Sequence, residues 1–130
     1  MANVFDTARY ILEKQGTLPA LKLEILCYYA QAWSLTWDGI TLFAEDFEAW
    51  SCGPICKELY NKTKGKYNVT APDETGGEND LTDEQKETID TVLEYYAEHN
   101  TQWLCQLSKM EEPYIKARQN INETKGIIAK

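Results

Sequence analysis

A chain of 130 residues with 43% hydrophobic and 12% aromatic content is long enough to bury one core and too apolar to stay disordered. Its formal charge of −8, from 21 acidic against 13 basic residues, repels phosphate backbones. That argues against nucleic acid and for a basic protein surface as partner.

No run approaches the roughly 20 apolar residues of a membrane helix. Met1 to Asp6 lacks the basic start and apolar core of a secretory signal. A cytoplasmic protein is expected, with Cys27, Cys52, Cys56 and Cys105 reduced.

Asn3 is placed to cap a first helix running to about Lys14, with Val4, Ala8, Ile11 and Leu12 on one face and Gly16 at its end. Pro19 suits the first turn of a second helix over about 19–37, because its missing N–H would be unpaired there anyway. On that helix Glu24, Gln31, Ser34 and Asp38 fall in a narrow polar stripe, expected to be the wet face. Almost every other side is apolar, which places the helix at the centre of a bundle. Lys22 lies opposite the stripe and is expected to snorkel outward or pair with a carboxylate.

Asp38-Gly39 signals a turn. Ile40, Leu42, Phe47 and Trp50 alternate in part, predicting a short β-hairpin near 40–50 that turns around Ala44-Glu45-Asp46. Gly53-Pro54 should break it, with Pro54 opening a short helix that ends near Tyr60. Residues 61–80 read as a loop, basic from Asn61 to Lys66 and acidic from Pro72 to Asp80.

Thr82 and Gln85 form a capping box for a fourth helix, one-sided through Ile89, Val92, Leu93 and Tyr96. A fifth helix is predicted over about 101–109 and a short last one over about 114–119. The expected fold is mainly α: a compact single-domain helical bundle around the central apolar helix, with a β-hairpin insert near 40–50. The domain covers 1–119, and 120–130 form a tail.

The chemistry-bearing residues do not assemble into a catalytic set. Cys52 and Cys56 are one close pair, whereas structural zinc uses two, and their three-residue spacing is not that of a redox dithiol. The thiols are therefore expected to be buried, with no metal and no cofactor. His99, the single histidine, sits beside Glu98 and Asn100 at a helix end and reads as a cap rather than a general base. Gly76-Gly77 is followed by acidic residues that would repel phosphate. The aromatics Tyr28, Tyr29, Trp33, Trp37, Trp50, Tyr60, Trp103 and Tyr114 first of all pack a core. Those left outside would suit a protein interface.

The run from Leu21 to Trp33 resembles the "K-L-x-K-L-x-Y-Y-A-Q-A" core of the Panacea domain, a phage-associated antitoxin family. Trp37-Asp38-Gly39 with Leu42-Phe43, Glu48-Ala49-Trp50, Gly53-Pro54-Ile55 with Leu59-Tyr60, Leu81 to Gln85, and Leu107 to Tyr114 resemble its later elements in order. The last departs from the pattern, with Lys109 in place of a histidine and Tyr114 in place of a tryptophan.

The resemblance implies a small helical antitoxin, not an enzyme, that binds and neutralises a protein toxin encoded in the adjacent gene. Under it, Lys22, Tyr28, Tyr29, Gln31, Trp50, Gly53, Pro54 and Tyr60 are architectural. Toxin contact is expected at Glu45, Asp46 and Glu48, at Lys62, Lys64, Lys66 and Tyr67, and at Tyr114 in the C-terminal segment. The alternatives are an adaptor that delivers its partner to a protease and a small enzyme of unknown reaction. Either way, neither membrane nor nucleic acid is an expected partner.

Overall fold

The computed structural model describes residues 2–70, 75 and 80–119. The tail expected over 120–130 and most of the acidic run 72–80 lie outside the described residues. In chain order the elements are α1 (Val4–Gln15), β1 (Leu18–Pro19), α2 (Ala20–Asp38), β2 (Glu48–Trp50), β3 (Gly53–Ile55), α3 (Lys57–Thr63), β4 (Asn68–Val69), α4 (Asp83–Tyr96), α5 (Thr101–Lys109) and α6 (Glu112–Gln119).

Helix starts follow local chemistry. At α1 the Asn3 Oδ1 accepts the Asp6 N–H at 3.0 Å and Asp6 Oδ2 accepts the Asn3 N–H at 2.9 Å, a reciprocal capping box. Thr82 and Gln85 make the same exchange at α4, at 3.2 and 2.8 Å. Asn100 caps α5 by accepting the Trp103 N–H at 2.8 Å.

The central helix is α2, buried without interruption from Leu23 to Gln31. Helices α1, α3, α4 and α5 and strand β3 all pack against it. Such a helix gains its stability from neighbours on every side rather than from one amphipathic face. Among the described residues no helix is long and apolar enough to cross a membrane.

The polar stripe of α2 is the main correction. Asp38 at the helix end is the exposed member of this face; Glu24, Gln31 and Ser34 are 2%, 3% and 1% exposed, so the face is dry as far as Ser34. Their hydrogen bonds go to the backbone of the segment that follows. Gln31 Nε2 donates to the Phe43 carbonyl at 2.8 Å, and Gln31 Oε1 accepts from the N–H groups of Leu42 at 2.7 Å and Phe43 at 3.4 Å. Ser34 donates to the Ile40 carbonyl at 2.9 Å, and Glu24 Oε1 accepts the Cys56 N–H at 2.9 Å. An irregular segment can be buried only if something satisfies its backbone, and here the α2 side chains do so.

A hairpin is present, but its turn lies at Ser51-Cys52 rather than at Ala44–Asp46. β2 pairs antiparallel with β3 in the register Glu48↔Ile55, Ala49↔Pro54 and Trp50↔Gly53. Leu42 and Phe47, two of the residues behind the expected alternation, are buried together with Phe43 from an irregular stretch. Pro54 lies in a strand and the helix begins at Lys57; both strands of a two-stranded sheet are edges, where proline is tolerated.

Gly53 has φ 137°, and a Cβ there would meet no atom closer than 4.0 Å. Gly53→Ala is therefore expected to destabilise by about 1–3 kcal/mol through backbone strain alone. Urea denaturation measures it, and an unchanged midpoint would contradict this account. A second sheet, β1 with β4, pairs Leu18↔Val69 and Pro19↔Asn68, tying the segment after α3 to the entry of α2.

Candidate functional site

The motif residues form the frame. Lys22 Nζ finds the Ala97 carbonyl at the end of α4, 2.6 Å away, instead of a carboxylate, and burial lowers its pKa. A cation suits the carbonyl end of a helix. Tyr29 stacks on Tyr96 with ring centroids 4.2 Å apart and donates to Glu111 at 3.2 Å. Tyr28 packs edge-on against Tyr29 and Phe47.

The hairpin turn is fastened from the C-terminal side. Lys109 Nζ donates to the Ser51 carbonyl at 2.8 Å, and the Tyr114 hydroxyl donates to the Trp50 carbonyl. Tyr114, expected as a contact residue, is 5% exposed and belongs to the core cluster. Trp50 Nε1 donates to Glu48 at 2.7 Å, and its ring meets Tyr60 edge-on.

The remaining candidate contact residues gather around α3. On one side Glu45, Asp46 and Glu48 join Lys57, Glu58 and Asn61 around a depression of about 400 Å³. Glu45 is also committed internally, accepting the Val4 N–H at 3.1 Å at the start of α1. On the other side Lys64, Lys66 and Tyr67 form the mouth of a pocket of about 430 Å³. Its walls include Leu21, Trp50, Ile55 and Tyr60, and Glu24 lines it from α2. Lys62 is exposed on α3, between the two concavities in sequence, and Tyr67 is 84% exposed.

Glu24 is the unusual group. Its Oε2 is buried and has no hydrogen-bond partner. Burial pushes its pKa up to about 8; the Cys56 N–H works against the rise, and Glu58 adds to it. The acid therefore stays mostly protonated near neutrality. Two thiols adjoin this region as expected, with Cys27 and Cys56 buried, but Cys52 is exposed on the hairpin turn and Cys105 is half-buried. His99 stacks face to face on Trp103, centroids 3.7 Å apart.

A second carboxylate-rich depression, of about 510 Å³, lies between α2 and α4 and was not anticipated from the sequence. Asp38, Glu84, Glu87 and Asp90 surround it together with Trp37, which is 46% exposed. Its signal was present but split: an aromatic at the end of one helix, and acids at every third or fourth position of another.

No curated protein and no solved structure matches the chain. The sequence model of the family described as "Antitoxin SocA-like, Panacea domain" matches residues 26–114. That span runs from the buried run of α2 through the hairpin, α3 and α4 to Tyr114 in α6, more than half of the chain. The chain belongs to the SocA-like antitoxin family and carries its Panacea domain.

Proposed function

We propose that this protein neutralises a cognate protein toxin, encoded in the adjacent gene, by binding it directly in the cytoplasm. Family membership over residues 26–114 is the observation that carries the reading. The geometry supports a binding module. α3 separates an acidic depression from an apolar pocket, and exposed aromatics stand at Trp37, Tyr67, Tyr95 and Trp103. Aromatic anchors with a polar surround are the usual composition of interface hot spots. The chain's negative charge steers a basic toxin surface toward it. In this reading the protein is not an enzyme and does not bind nucleic acid.

The contact face is proposed to centre on α3, taking in Asp46, Glu48, Glu58, Lys62, Lys64, Lys66 and Tyr67. Reversing charge with Asp46→Lys and Glu58→Lys is expected to weaken toxin binding at least tenfold, mostly at low salt and mostly in the association rate. Surface plasmon resonance across a salt series measures this. Unchanged affinity and unchanged salt dependence would move the contact away from this face.

A further inference from the structure

We propose that the aromatic ridge Trp37–Trp33–Tyr96–Tyr95, which crosses from α2 to α4, docks an arginine-bearing segment of the toxin, the guanidinium lying against the Trp37 indole and the α4 carboxylates. This rests on the antitoxin reading and names a contact outside the α3 face. The ridge is continuous. Trp37 stacks on Trp33 with centroids 4.8 Å apart, Trp33 Nε1 donates to the Tyr96 hydroxyl at 2.9 Å, and the Tyr95 and Tyr96 centroids are 6.5 Å apart. Its two ends face solvent, Trp37 at 46% and Tyr95 at 67% exposed. Its middle is anchored, because Tyr96 stacks on Tyr29 of the core. An exposed indole held in this way loses little freedom on binding, which is what an interface anchor requires.

Charge selects the occupant. Asp38, Glu84, Glu87 and Asp90 wall the depression beside Trp37. Asp38 accepts from Thr88 at 3.2 Å and Asp90 from the Tyr10 hydroxyl at 2.8 Å, so both are oriented. Glu84 and Glu87 are exposed, and no cation among the described residues pairs with either. Lys86, the one cation of α4, lies over the Tyr10 ring instead, and Lys22, the one cation of α2, is bonded to the Ala97 carbonyl. A nucleic acid or an anionic membrane is repelled by such a face, and a second copy would set acid against acid. A basic segment is drawn in. Arginine fits it better than lysine, because a planar guanidinium stacks on an indole while its in-plane N–H groups reach carboxylates.

In ¹⁵N–¹H spectra of the full chain at physiological salt, a hexa-arginine peptide is expected to shift the Trp37 indole N–H and the Thr91 and Tyr95 amides. It should bind at least about threefold more tightly than hexa-lysine. Shifts confined to the α3 face, or equal affinity for the two peptides, overturn the proposal. Glu84→Lys combined with Glu87→Lys, both at exposed positions, is expected to remove the Trp37 shift and to weaken toxin binding at least about tenfold. Trp37→Ala should weaken toxin binding with the charges left in place. Folded variants of both kinds that bind toxin as tightly as the parent overturn it too. A parent chain that binds no toxin overturns the antitoxin reading instead, and the ridge is then judged on the peptides alone.

Discussion

Replacing Gln31 with alanine is expected to destabilise the protein by about 3–4 kcal/mol, among the largest effects of any single substitution. The side chain is 3% exposed and serves three backbone groups: the Phe43 carbonyl and the N–H groups of Leu42 and Phe43. Removing it strands all three in an interior that water does not reach, at about 1–3 kcal/mol each before relaxation. The consequence reaches past the bonds. Leu42, Phe43 and Phe47 are buried from this irregular segment, so loosening it opens the core beside Tyr28 as well. Gln31→Glu is expected to be no better, because the acid loses the donor to Phe43 or buries a charge. Urea unfolding measures the difference. A loss below about 1 kcal/mol would mean that the 42–43 backbone finds other partners.

Glu24 is expected to make the protein less stable as pH rises. Its folded pKa of about 8 stands above the ordinary 4.5, so the sign is fixed. Below 4.5 the carboxyl is protonated in both states and imposes no penalty. Between 4.5 and about 8 the unfolded chain releases the proton while the folded chain retains it, and stability falls throughout that window. The full loss is about 5 kcal/mol, levelling off above the folded pKa. Burial raises the Glu111 pKa too, with the same sign. Glu24→Gln keeps an oxygen for the Cys56 N–H and does not titrate. It should flatten most of the slope and leave the variant about 2 kcal/mol or more stabler than the parent at about pH 8. Parallel stability profiles for parent and variant would contradict the assignment.

Both effects arise on the helix that was easiest to read. A run apolar on nearly all sides has one sensible location, and α2 occupies it. The capping boxes at Asn3 and Thr82 were equally legible, because three-residue reciprocity is a local matter. What a polar residue on such a helix bonds to is not local. Glu24, Gln31 and Ser34 have the pattern of a wet stripe, and only the path of residues 40–56 turns them inward.

The hairpin shifted for a related reason. Leu42 and Phe47 face the core without a strand partner, since Gln31 takes the place of one. Two-residue strands such as β1 and β4 carry no period at all, so their pairing could not be read in advance.

The candidate site divides in the same way. The acidic cluster at Glu45, Asp46 and Glu48 was visible as composition, and Lys64, Lys66 and Tyr67 as a loop of mixed character. That they flank one short helix is a tertiary fact. The pocket draws on residues as distant as Pro19 and Thr101, and its distinctive group, Glu24, was hidden among residues that look purely architectural.

The most direct measurement is co-expression of this protein with the product of the neighbouring gene, following growth, complex formation and the neighbour's abundance together. Neutralisation by direct binding predicts that the neighbour alone arrests growth, and that the two chains together restore growth and co-purify with the neighbour's level sustained. Growth restored while the neighbour's level collapses would assign this chain to protease delivery. A harmless neighbour that forms no complex would contradict the account outright.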